Sequence, residues 1–419
     1  MLNRSIAPPF SQNFSFELPA AEVTPIADGV NFIFLGGLQQ EVFKLEIIFN
    51  AGKWYEPKLG LSHFTSILLN KGTSDKSSKE IAELFDYYGA QIEISPGYDF
   101  TSVSLYALKK HVHEIVPLFC EILTSPMFRQ EEFDLQRDIF LQNLKVNNEK
   151  NSFVASKLIR KNIFGAVHPY GSSIEENDAA TLTVNELLNY FKSNFSPSEV
   201  YLMGNFDSHQ VKFLKDQFVS LQLKRQENKM HFDVIPGQSA QHISKQNSVQ
   251  SSIRLGKLTA TRGHADYFSL LLLNHILGGY FGSRLMKNIR EEKGLTYGIY
   301  SSINSFKHKS LFSIGADVDK GNLELTITEI KKELQTLREH LIPEDELLTA
   351  KNHFLGSLQL DAANPFSLLD KIKNIHLNQL SKDYYKNLVA SIQSSDSISL
   401  REIAQKYFTV ADLFEVAVG

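Results

Sequence analysis

The chain has 419 residues, more than one hydrophobic core usually organises, so two or three domains are expected. Hydrophobic residues make up 42% and charged residues 21%, with 30 Phe and 15 Tyr, which excludes disorder because apolar surface is ample to offset chain entropy. A net charge of -4, from 43 basic and 47 acidic side chains, leaves no basic footprint for nucleic acid or anionic lipid.

No apolar stretch near the N-terminus has signal-peptide length and none elsewhere has membrane-spanning length, so a cytoplasmic protein without membrane contact is expected. Residues 41–52 and 99–108 alternate apolar and polar positions and predict half-buried strands. Residues 78–90 instead place Ile81, Leu84, Phe85 and Tyr88 on one helical face, with Gly89 closing the helix. Further helices are predicted over 111–126, 131–146, 183–197 and 322–337. The single cysteine, Cys120, lies in an apolar run, which rules out an internal disulfide and a cysteine-based metal cluster and predicts core packing. His111-Val-His113-Glu114 follows two lysines and reads as a solvated helix start. Trp54 and Tyr55 read as an aromatic lid over a sheet edge, and Gly278-Gly279 as a flexible loop.

An internal repeat decides the architecture. Glu132, Phe140, Leu141 and Leu144 recur as Glu346, Phe354, Leu355 and Leu358. Asn151-Ser-Phe153 recurs as Asn364-Pro-Phe366, Lys161-Asn-Ile163 as Lys373-Asn-Ile375, and Val103–Ala107 as Phe312–Ala316. The matches keep their order at offsets of about 209 to 214 residues, as a duplication requires. The expected fold is therefore α+β, with two homologous domains, each a mainly antiparallel sheet covered by helices. The domains are placed at 1–222 and 246–419, joined by a polar linker over 223–245 that contains Pro236-Gly237.

Three stretches resemble the insulinase/pitrilysin family of inverted-motif zinc peptidases: Phe49–Thr73, the His168-Pro-Tyr170-Gly171 segment, and Leu273–Ser302. The resemblance implies that the chain is one half of a clam-shell around a peptide chamber. In that family two histidines of H-x-x-E-H share a zinc, the glutamate acts as general base, and a later helix brings a third ligand. The matching residues here are His63, with Ser66 in place of the base and Ile67 in place of the second histidine. The distal carboxylates align with Gln136 and Asn143, both amides. No bound metal is expected from this set. In the third stretch the resemblance identifies Arg290 and Tyr297 as the family's R/Y pair, which grips substrate carbonyls and donates to the oxyanion.

The expectation is a non-catalytic subunit of a heterodimeric zinc peptidase. Its partner would be a paralogous subunit with intact H-x-x-E-H that holds the zinc and its substrate an unfolded peptide, and without the partner a homodimer is possible. The alternatives are a structural subunit, like some members of this family, and a peptide-binding holdase. For Arg290 and Tyr297 these alternatives predict packing roles, a helix C-terminus and a half-buried strand.

Overall fold

The computed structural model describes residue 14 and residues 16–37, 39–219 and 230–419. Strands run over β1 (Glu22–Ala27), β2 (Val30–Leu35), β3 (Val42–Phe49), β4 (Gln91–Pro96), β5 (Thr101–Leu108) and β6 (Pro197–Met203) in the first half. In the second they are β7 (Ala240–Ile243), β8 (Gln250–Thr259), β9 (Thr296–Ser305), β10 (Ser310–Asp319) and β11 (Phe414–Val418). The first half carries helices α1 (Leu61–Leu68), α2 (Ser78–Tyr87), α3 (Val112–Thr124), α4 (Gln130–Glu149), α5 (Asn151–Phe164), α6 (Glu176–Ala180), α7 (Val184–Asn194) and α8 (Ser208–Val219). The second carries α9 (Tyr267–Asn274), α10 (Leu323–Glu339), α11 (Glu344–Ala362), α12 (Pro365–Leu377), α13 (Tyr384–Ser394) and α14 (Ser397–Tyr407). No helix among the described residues is long and apolar enough to cross a membrane.

The two sheets share one topology. The first is ordered β1-β2-β6-β3-β5-β4 and the second β7-β11-β8-β10-β9, so β2, β6, β3, β5 and β4 correspond to β7, β11, β8, β10 and β9. The corresponding parallel pairs agree as well: β2 with β6, and β7 with β11, while the strands beyond them are antiparallel. Local chemistry starts the helices, at the predicted positions for α2 and α7. Ser77 caps α2 through a reciprocal box with Glu80, Thr183 does the same for α7 with Glu186, and Asn364 caps α12 before a proline at its first turn. Cys120 is buried in the first core, and burial pushes its thiol up to about 12.

The repeat is tighter than two domains in tandem. Helix α5, from the first half, lies on the second sheet: Ala155, Ile159, Ile163 and Phe164 share a core with Leu311, Val416 and Val418. Helix α12, its counterpart, lies on the first sheet, where Leu369 and Ile372 pack on Ile33, Leu35, Ile48, Tyr201 and Met203. A buried ion cluster accompanies α12, with Lys373 2.7 Å and Lys44 2.8 Å from the Glu46 carboxylate. Each half thus covers the outer face of the other's sheet.

Three expectations change. The segment expected to be a linker at 223–245 is not free chain where it is described: β7 pairs with β11, and the Ile235 and Gly237 amides donate to the Phe164 and Asn162 carbonyls. The part of that segment before residue 230 lies outside the described residues. Trp54 is no lid: it is 4% exposed and stacks on His308 at 4.0 Å, with Tyr170 and Phe232 around it, in a seam between the halves. Gly278 is buried, and a Cβ there would stand 2.6 Å from the Ser301 amide, so this glycine lets a helix end touch β9.

Candidate functional site

The chain leaves β3 at Phe49 and enters α1 at Leu61 through a loop pinned to the β4–β5 turn, the Lys53 and Trp54 amides donating to the Gly97 and Tyr98 carbonyls at 3.0 and 2.7 Å. Gly60 precedes α1 with φ of 97°, a left-handed conformation that glycine adopts without a Cβ penalty. The helix start is capped from a distance: one Glu56 carboxylate oxygen accepts from the Gly60 and Ser62 amides at 3.1 and 3.0 Å. These constraints set α1 beside α4 at the floor of a cleft of about 460 Å3.

His63 and Asn143 both line this cleft. The His63 ring lies 5.2 Å from the Phe140 ring, and burial holds its pKa below the ordinary imidazole value. Ser66 is fully buried and donates to the Ser62 carbonyl at 2.6 Å, with its hydroxyl 3.4 Å from that of Thr101, away from any role as a base. Ile67 packs against the first core. The donor set is one imidazole and one neutral amide. Among the described residues no three His, Cys, Asp or Glu side chains converge on a metal position. Catalytic zinc takes three protein ligands, so these residues do not fit it. Metal analysis of the purified chain is expected to find far less than one zinc per chain, whereas Ile67→His with Asn143→Glu supplies a three-ligand set and should raise the zinc content severalfold. Unchanged zinc content in the double variant would contradict the geometry.

The cleft also gathers groups that the motif spacing does not reveal. Lys53 donates to the Ser172 carbonyl, and Arg160, on α5, reaches the cleft from the other side. Burial pushes the Lys53 amine down to about 8, with Arg160 adding to the shift, and pushes the Glu56 carboxyl up to about 7 against the amides it accepts from. The only signal in sequence was the Lys-Trp-Tyr-Glu run before Gly60, which gives no hint of Arg160.

Glu56 makes stability depend on pH in an unusual sense. The folded chain keeps this proton up to about 7 and the unfolded chain releases it near 4.5, so the native state binds more protons in between and stability falls as pH rises through that window. Glu56→Gln keeps an acceptor for the helix cap and removes the titration. Urea midpoints should therefore coincide for the two proteins near pH 4.5 and separate by pH 8, the variant being more stable. A constant gap across that range would refute the assignment.

Arg290 and Tyr297 lie in the second half. Arg290 belongs to a wide helical turn, Met286–Glu292, and its guanidinium sits 4.7 Å above the Phe281 ring, with no ion pair among the described residues. The Leu295 amide donates to the Ile289 carbonyl and carries the chain into β9, an edge strand of its sheet. Tyr297 is 93% exposed, so it fills no core, contrary to the packing role considered for it. Phe281, at 61%, and Tyr300, at 50%, are exposed nearby in sequence.

Two family models match the chain: the insulinase model, peptidase family M16, over residues 38–177, and the peptidase M16 inactive-domain model over 181–354. A Bacillus subtilis protein described as uncharacterized zinc protease YmxG is 26% identical over 357 residues, covering 84% of this chain and 86% of that one. A Rickettsia felis uncharacterized zinc protease is 26% identical over 325 residues, 75% of this chain and 77% of that one. The crystal structure of a peptidase M16 inactive domain from Pseudomonas fluorescens superposes with a TM-score of 0.88 at 23% identity, covering 95% of this chain and 98% of that one. A protease from Helicobacter pylori superposes with a TM-score of 0.85 at 17% identity, covering 96% and 99%.

Proposed function

Because the chain belongs to the insulinase family, peptidase family M16, in both of its halves, we propose that it is the non-catalytic subunit of a heterodimeric zinc metallopeptidase. In this reading a paralogous partner with intact H-x-x-E-H holds the zinc, and this chain supplies Arg290 and Tyr297 to a closed chamber that takes unfolded peptide.

The observation that carries the reading is an asymmetry between the two halves. Ile67 and Asn143 stand where two metal ligands would be and Ser66 where the base would be, whereas a phenol that contributes nothing to its own core stands 93% exposed on β9. A donor held on a strand in advance costs little reorganisation when charge develops on a substrate oxygen, which is where such a group is most effective. The free edge of β9 also offers main-chain donors and acceptors to an extended peptide, a mode that tolerates many sequences.

The test is co-expression with a relative that carries H-x-x-E-H, followed by a peptide-cleavage assay on the purified pair. Cleavage by the pair, absent from this chain alone, supports the reading. A stable complex whose activity equals that of the partner alone would reduce this chain to a structural subunit.

A further inference from the structure

We propose that the cleft between α1, α4 and α5 binds a carboxylate of a peptide, in the place where a zinc peptidase would hold its metal. Two cations without a full complement of partners line it. The Arg160 guanidinium makes no hydrogen bond or ion pair among the described residues and lies 5.8 Å over the Tyr98 ring; Lys53 lies 5.7 Å from the same ring. Burial depresses the Lys53 amine, and repulsion from Arg160 adds to the shift in this partly desolvated site. An incoming anion relieves that repulsion.

Unmet hydrogen-bonding capacity points the same way. Three buried polar atoms without a partner line this one cleft: Glu56 Oε1, Arg160 Nε and Ser172 Oγ, the last on a residue only 5% exposed. Buried polar atoms are nearly always paired, so a convergence of orphans around a cavity marks a place prepared for a ligand. Arg160 and Ser172 are donors suited to a carboxylate, and Glu56, protonated toward neutral pH, becomes a donor as well. Asn143 and Asn147 add amides one helical turn apart on α4; carboxylates at those positions would repel the anion. A peptide is favoured over a small acid because β4, whose outer edge is unpaired in the sheet, ends at Pro96 on the rim of the cleft. This inference goes beyond the heterodimer reading and does not depend on it, since the isolated chain should bind.

The experiment titrates the purified full chain with three fluorescein-labelled decapeptides of one neutral sequence: a free C-terminal acid, its C-terminal amide, and the amide with one internal glutamate. Anisotropy should show the free acid binding at least 10-fold more tightly than the plain amide. If the glutamate peptide also binds, the site takes side-chain carboxylates; if not, it reads chain ends. Arg160→Gln and, independently, Asn143→Asp should each weaken the acidic peptides at least 10-fold with unchanged circular dichroism and melting temperature. Equal binding of acid and plain amide, no binding of any peptide, or full affinity in a folded Arg160→Gln variant would overturn the proposal. Peptide cleavage by a heterodimer would be unaffected by any of these outcomes, so the two readings fail separately.

Discussion

Tyr297→Phe in the assembled heterodimer is expected to lower peptide turnover roughly 10²-fold, about 2.7 kcal/mol of transition-state stabilisation, while leaving complex yield unchanged. The substitution removes one hydroxyl from a ring that is 93% exposed, so it deletes no core contact and its cost in stability should be negligible. Arg290→Ala removes a guanidinium whose contact in this chain is the Phe281 ring, and it should raise KM as well as lower kcat, because it is proposed to hold peptide carbonyls before and during reaction. A packing role predicts the opposite pattern: less assembled complex, with normal turnover per complex. Measuring yield by gel filtration and turnover per assembled pair separates the two, and unchanged turnover in both variants would leave this chain as a wall of the chamber only.

The division into two matched α+β halves was legible because duplication leaves matched segments in one order, and strands were found at 42–49 and 101–108, although β3 is buried on both faces rather than half-buried because α12 covers its outer side. The helix exchange was not legible. Asn151-Ser-Phe153 and Asn364-Pro-Phe366 are the starts of α5 and α12, so two of the matched segments are the crossing helices themselves. An apolar face states that a helix is covered, never by which sheet. Strand β7 escaped notice for a related reason: its four residues are polar enough to read as linker, and its pairing partner, β11, lies at the far end of the chain.

The site divides along the same line. His63 and Asn143 were singled out by the family resemblance, and both line one cleft, because α1 and α4 pack together although about 80 residues separate them. Lys53, Glu56 and Arg160 carry no such resemblance. Their meaning arises where the loop before α1 meets α5, about a hundred residues later, and only depth of burial reveals that Glu56 and Lys53 are shifted toward each other in pKa.

The helix exchange also predicts how the chain behaves when divided. Residues 14–219 expressed alone would present the apolar face of α5, with Ile159 and Ile163, to water, and would leave Ile33, Ile48 and Tyr201 uncovered for want of α12. Residues 230–419 alone would expose Leu311, Val416 and Val418. Each fully buried side chain of this size contributes about 1.5 to 3 kcal/mol, so several lost together exceed the net stability of an ordinary domain. Each fragment is therefore expected to aggregate when made separately, and co-expression should return a soluble one-to-one complex. The intact chain offers a second measurement: Leu369→Asp puts an unpaired charge where α12 meets the first sheet and should cost about 3 to 5 kcal/mol in urea unfolding, whereas the exposed Leu360→Asp, at 78% exposure on α11, should cost little. Two fragments that fold independently, with Leu369→Asp no worse than Leu360→Asp, would show that the halves are ordinary tandem domains and that the exchanged helices are dispensable to either core.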